Sequence, residues 1–223
     1  MSTKIKNKNQ LTLFIIVVNY IPLVFTILVF IVSSCASNFP AKILVFFGLL
    51  YLAPPVLVRL IILIIGRPLA MQSTQGDREY RLWWVLTQFQ VIFNRFPVLE
   101  ETLRLVPGLY NFWLNIWGGK VHLFAYWSPG AVVMDRYHIN IGKAAVIGGY
   151  SGITGHIISR NDAGQYILTT APVILCEGAI LGAGAALSPG VIVEKNEVIP
   201  AGTILAPFTT WQNGKKVKRN YDR

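Results

Sequence analysis

The sequence predicts a membrane α-helical hairpin followed by an all-β parallel β-helix, with amphipathic helices between them. Three observations carry that expectation. Hydrophobic residues make up 53% of the 223 positions and charged residues only 13%, with a mean hydropathy of +0.51, too apolar for a wholly soluble chain. Two runs, Leu11 to Val32 and Ile43 to Ile65, are nearly free of charge, and each approaches the ~20 residues that a helix needs to cross the hydrocarbon core of a bilayer. In the C-terminal part, aliphatic side chains return at every sixth position, a period that belongs neither to an α-helix nor to a single strand.

Residues 1–67 form the hairpin. Only Ser33 to Lys42 separates the two runs, with Asn38 and Pro40 as turn formers, so the helices are antiparallel neighbours. The first run is too long for a cleavable signal peptide and shows no small-residue cleavage site. Positive charge that stays in the cytoplasm sets the orientation. Lys4, Lys6 and Lys8 precede the first helix and Arg67, Arg78 and Arg81 follow the second, against Lys42 alone in the loop, which places both termini in the cytoplasm. Pro54 and Pro55 predict a kink in the second helix. Arg59, one turn later, is either a functional group within the membrane or a side chain that snorkels to the headgroups, the commoner outcome. Cys35 and Cys176 fall on opposite sides of the membrane and do not pair, and neither has metal-ligand spacing.

Residues 68–120 form an interfacial helical region. Behind Asp77 as N-cap, Leu82, Val85, Leu86, Phe89, Ile92, Phe93 and Phe96 follow helical spacing, flanked by Arg78, Arg81 and Arg95. Such a helix lies either at the membrane interface or against the protein's own core. A second short helix sets Leu109, Phe112, Trp113, Ile116 and Trp117 on one side, and the tryptophans of this region suit a headgroup-level belt.

Residues 121–207 carry the six-residue repeat. Leu175, Leu181, Leu187, Val193, Ile199 and Leu205 form one series, and Ile141, Ile147 and Ile153 an earlier one. The next residue is usually small, as at Gly142, Gly148, Gly182 and Ser188, which lets the chain bend at a corner. Three such steps make one triangular turn with the aliphatic side chains inward. Residues 208–223 are a basic tail holding Lys215, Lys216, Lys218, Arg219 and Arg223. With a net charge of +10, the chain attracts anions. The membrane tether makes anionic lipid the first partner and coenzyme A phosphates the second, and nucleic acid is not expected.

From about Ser128 to Pro207, "ITGHI", a polar loop and "APVILCEGAILGAGAALSPGVIV" follow one another. In this order of motifs the segment resembles the hexapeptide-repeat acyltransferases, in particular their galactoside and maltose acetyltransferase branch. The resemblance implies a left-handed parallel β-helix and a homotrimer with active sites between subunits. It also implies an acyl group taken from acyl-CoA or acyl carrier protein without a metal. His156 occupies the place of the family's general base, and Asp135, in "VVMDRYHINIG", that of an acidic residue contacting the acceptor. Ala183 falls where a backbone N–H approaches the thioester carbonyl, and Ala201 where backbone holds the pantetheine arm. The sequence departs from the pattern at Ile180, where the family carries Trp, at Ile157 behind the histidine, and in the closing "APFTTWQNGKK".

The residue types suit that chemistry. An alcohol or amine attacks a thioester only as it loses a proton, which an imidazole accepts near neutral pH. The oxyanion then needs a fixed donor, and a backbone N–H at a Gly/Ala corner is approachable. Two alternatives stand beside this reading. His138 lies eighteen residues before His156 and would stack on it in an uninterrupted coil, so that with His122 the alternative is a zinc site like that of the γ-carbonic anhydrases. Those enzymes place two ligands only a few residues apart, unlike the spacing here. The other alternative is a non-catalytic scaffold, which would not need the excursion Ser159 to Thr170 beside a histidine. The anchor itself points to an acceptor hydroxyl or amine on a lipid or lipid-linked glycan in the inner leaflet, with the catalytic domain on the cytoplasmic side of a bacterial inner membrane.

Overall fold

The computed structural model describes residues 13–218. Lys4, Lys6, Lys8, Arg219 and Arg223, on which the expected orientation and basic tail partly rest, lie outside the described residues.

The first apolar run is two helices rather than one, α1 (Leu13–Val18) and α2 (Ile21–Ser34). Pro22, in the first turn of α2, has no N–H with which to continue the ladder from α1. α3 (Phe39–Ile65) starts ahead of the second apolar run because Asn38 caps it, its side chain accepting the Ala41 N–H at 2.9 Å, and Pro40 fits its first turn. Asn38 thus closes the turn between α2 and α3 and caps the second helix, while Pro40 lies within α3 rather than in the loop. α2 packs along α3, with the Phe30 and Phe46 rings 5.2 Å apart. Leu13–Ser34 and Phe39–Ile65 are both long and apolar enough to cross a membrane.

A short strand, β1 (Ala70–Ser73), leads to α4 (Arg78–Arg95), α5 (Val98–Arg104) and α6 (Leu109–Ile116). α4 is covered on two sides, by α1, α2 and α3 on one and by the β-helix on the other. Leu82, Leu86 and Phe93 of its apolar stripe join the same core as the β-helix. The tryptophans expected at headgroup level are largely inside the protein: Trp83, Trp113 and Trp117 are each at most 2% exposed. A buried ionic network fastens these helices to the β-helix. Arg136 donates to Glu100 through Nε at 2.7 Å and again through Nη2, and to Asn94 at 2.9 Å. Tyr110 donates to the other Glu100 oxygen at 2.6 Å.

From residue 120 the chain winds as a triangular parallel β-helix. One face holds β2 (Lys120–Val121), β5 (Ile139–Ile141), β10 (Val173–Leu175), β13 (Ile192–Val193) and β16 (Thr209–Gln212). The second holds β3 (Tyr126–Trp127), β6 (Val146–Ile147), β11 (Ile180–Leu181) and β14 (Val198–Ile199). The third holds β4 (Val132–Val133), β7 (Gly152–Ile153), β12 (Ala186–Leu187) and β15 (Ile204–Leu205). Every pairing within these rows is parallel. The aliphatic series points inward, from Ile141 to Leu205, at 1% exposure or less. Val121, Trp127 and Val133 form one more coil ahead of it, and Trp211 of β16 continues it. β17 (Lys215–Lys218) folds back antiparallel on β16.

Successive coils are not of equal length. Leu175 pairs with Val193, eighteen residues on, but Val121 pairs with Ile141 and Val133 with Ile153, each twenty on. A 3₁₀ turn at Arg136–His138 accounts for the extra length. Between β7 and β10 the chain leaves the coil as an antiparallel hairpin, β8 (His156–Arg160) and β9 (Tyr166–Thr170). The excursion that reads as a polar loop is thus mostly strand, and β1 adds to its far edge, Ala70 opposite Thr170.

Candidate active site

Asp135 and His156 meet at one corner of the triangle, in consecutive coils. Asp135 follows β4 and His156 opens β8. The His156 Nδ1–H donates to Asp135 Oδ2 at 2.7 Å, and the Gly155 N–H donates to the same oxygen at 2.9 Å. Asp135 is buried, whereas the His156 side chain is 19% exposed. Burial alone would raise the Asp135 carboxyl. The hydrogen bond and charge offered by His156, with the Gly155 N–H, outweigh burial and hold it below the usual carboxylate range. Nδ1 is thereby committed as a donor and Nε2, which has no partner among the described residues, is left with its lone pair available to take a proton.

Trp83 of α4 covers this imidazole, ring centroids 4.7 Å apart. That contact leaves no trace in the sequence, since Trp83 lies off the helical stripe and far from the repeats. The next residue, Trp84, donates its indole N–H at 3.0 Å to Asn19, in the break between α1 and α2. On the other side of the histidine, β8 pairs with β9 and β9 with β1, which begins shortly after α3 ends. Thr170 of β9 donates to the Pro68 carbonyl at 2.7 Å. The histidine is therefore tied to both long apolar segments.

His138 does not stack on His156. The twenty-residue coil sets it over Gly155, where an added Cβ would lie 2.5 Å from the His138 Cβ. His138 is fully buried, and neither ring nitrogen has a partner among the described residues. Burial pushes its pKa down from 6.5 to about 4. The unfolded chain binds a proton here below about 6.5 and the folded chain only below about 4, so stability is complete above the first value and falls between the two as pH drops. Denaturant unfolding in detergent should show the resulting slope, roughly 1.4 kcal/mol per pH unit, and His138→Leu should remove it. An unchanged slope in His138→Leu would assign the pH dependence elsewhere. His122 stands exposed at a different corner, its Nδ1 accepting the Phe124 N–H at 3.2 Å.

Ala183 and Ala201 lie together at another corner, between the second and third faces. Both are exposed in adjacent coils, and a Cβ at Gly148 would lie 2.6 Å from the Ala183 nitrogen and one at Gly182 2.5 Å from that of Ala201. Glycine at these two positions is what lets the coils stack. Within one chain, then, Asp135 joins His156, and Ala183 joins Ala201, but one side of the triangle separates the pairs.

No family model and no curated protein matches the chain. The solved structures it is similar to include acetyltransferases. A hexapeptide-repeat acetyltransferase from Vibrio cholerae is 13% identical over 60% of this chain and 93% of its own, with a TM-score of 0.37. A maltose O-acetyltransferase from Clostridium difficile is 14% identical over 68% of this chain and 93% of its own, with a TM-score of 0.38. The serine acetyltransferase of Neisseria gonorrhoeae is 16% identical over 98% of this chain and 96% of its own, with a TM-score of 0.24.

Proposed function

We propose that the chain is a membrane-anchored acyltransferase of the hexapeptide-repeat type. It moves an acyl group from acyl-CoA or acyl carrier protein to a hydroxyl or amine of a lipid or lipid-linked glycan, with His156 as general base. The observation that carries the lipid acceptor is the attachment of His156 to both apolar segments, through Trp83–Trp84 to Asn19 and through β8–β9–β1 to the end of α3. Leu13, Leu44, Leu63 and Ile64, all more than 60% exposed, support insertion in lipid, since a soluble protein rarely carries so large an apolar coat. In this reading the β-helix is left-handed and lies on the cytoplasmic side of a bacterial inner membrane.

The acceptor oxygen or nitrogen attacks the thioester carbon while His156 Nε2 takes its proton, and buried Asp135 stabilises the imidazolium formed. The oxyanion accepts from the Ala183 N–H. Collapse breaks the carbon–sulfur bond, and the thiolate leaves with the proton held by His156. Because the Ala183–Ala201 corner and the His156 corner stand on different edges of one chain, a site that uses both is completed by a neighbouring copy. That favours the homotrimer, with coenzyme A, or the pantetheine of a carrier protein, in the groove between copies.

The test uses the full chain in nanodiscs with radiolabelled acetyl-CoA, offered a bacterial lipid extract or soluble galactosides and maltose. Label should enter the organic phase. Label confined to the soluble sugars would overturn the lipid acceptor while leaving the acyltransferase reading in place.

A further inference from the structure

Arg59 and Arg67 are cations brought together with no ion-pair partner among the described residues. Arg59 stands six residues before the end of α3 and Arg67 two residues beyond it. Both reach Gly118: a Cβ there would lie 3.1 Å from Arg59 Nη1 and 3.8 Å from Arg67 Nη2, so the two guanidinium groups flank one small space. Gly118 has a φ of 99° and no side chain, which gives this turn its shape and leaves room for Arg59.

Arg67 is held in place from the protein side. Its Nη1 donates to the Tyr137 carbonyl at 2.7 Å and its Nη2 to the Gly118 carbonyl at 2.5 Å. Burial and then the charge of Arg59 push its guanidinium below the ordinary value. Arg59 has no hydrogen bond or ion pair among the described residues. Two adjacent guanidiniums, one fixed by carbonyls and the other unspent, present several N–H donors in the planar geometry that suits a phosphate.

We propose that Arg59 and Arg67 bind the phosphate ester of a membrane lipid, and that the acceptor enters through this site. The proposal rests on the reading of α3 as a membrane span. Six helical residues place the Arg59 backbone about 9 Å back from the end of α3, and its long side chain extends to Gly118 beside Arg67, the headgroup level at which a lipid phosphate lies. The carbonyl that holds Arg67 belongs to Tyr137, two residues from Asp135 in the same turn, so a headgroup anchored here extends toward the Asp135–His156 corner.

The test is lipid retention by the full chain, followed by native mass spectrometry in detergent, titrated with dioleoyl phosphatidylglycerol, dioleoylglycerol or inorganic phosphate. The wild type should keep one phosphatidylglycerol per chain, and Arg59→Gln should keep it about tenfold more weakly, the loss of roughly 1.4 kcal/mol. Arg59→Lys should recover part of that loss. Since Arg59 makes no hydrogen bond or ion pair among the described residues and its charge opposes that of Arg67, its replacement should not lower the thermal unfolding temperature of the lipid-free protein. Wild-type retention in Arg59→Gln, or equal retention of dioleoylglycerol, would overturn the site. Displacement of the lipid by an equal concentration of inorganic phosphate would overturn its assignment to a lipid. The readout does not involve acyl transfer, so it stands or falls separately from the proposed reaction.

Discussion

Replacing His156 by alanine is expected to slow acyl transfer by roughly 10² to 10⁴-fold, the range for loss of a general base, while the β-helix stays folded. The inward aliphatic ladder does not involve this side chain, which sits at a corner and is partly exposed. The substitution does strand the buried Asp135 carboxylate with the Gly155 N–H and a long contact from Thr154 at 3.4 Å. His156→Gln is therefore the companion variant, because its amide can still donate toward Asp135 while offering no base. Asp135→Asn should lose less. The Gly155 N–H can only donate, so the asparagine oxygen takes the place of Oδ2 and still accepts from Nδ1, and the new amide fills the position of Oδ1, which has no partner among the described residues. The charge is lost, but the tautomer is kept. Acyl transfer rates on the three purified, correctly assembled variants decide the matter. Near wild-type turnover in His156→Gln would remove this histidine from the reaction.

The largest effect on stability is expected at Glu100. Glu100 is 4% exposed and answers the buried Arg136, 1% exposed, which reaches it from the 3₁₀ turn of the β-helix. Glu100→Ala leaves that guanidinium buried without an anion, with the Gln90 and Asn94 amide oxygens and the rings of Phe93, Trp113 and Trp117, and removing one partner of a buried pair costs about 3–5 kcal/mol. Arg136→Met should cost less, since Glu100 keeps the Tyr110 hydroxyl and, at 3.5 Å, Arg104. The double variant should unfold later than Glu100→Ala alone, because no uncompensated charge remains. Thermal unfolding in detergent checks this order, and a Glu100→Ala protein within about 1 kcal/mol of wild type would show that the network is not what clamps α4, α5 and α6 to the β-helix.

The repeats were legible because the six-residue step is local. From Ile141 to Leu205, each inward position can be counted from the last without knowing what lies across the coil, and small residues at Gly142, Gly148 and Gly182 mark the corners. The two apolar segments were legible for a similar reason, as length and composition suffice to make a helix fit to span lipid. Asp135 and His156 were legible only through resemblance, since residues that meet 21 positions apart leave no periodic trace.

What the sequence by itself determined, then, is the element type along most of the chain and the inward face of the β-helix, both consequences of short-range spacing. The tertiary structure decided the rest. Whether His138 or Asp135 faces His156 depends on two extra residues in a 3₁₀ turn, because the added length shifts everything stacked across that corner. Trp83 covers the histidine because α4 is held between the apolar helices and the β-helix, a position to which Arg136 contributes by meeting Gln90 and Asn94 of α4 far along the chain. Arg59 meets Arg67 beside Gly118 because the end of α3 docks behind α6. In each case the deciding contact joins elements distant in the chain, and its free energy comes from burial and charge at a junction that no single segment can specify.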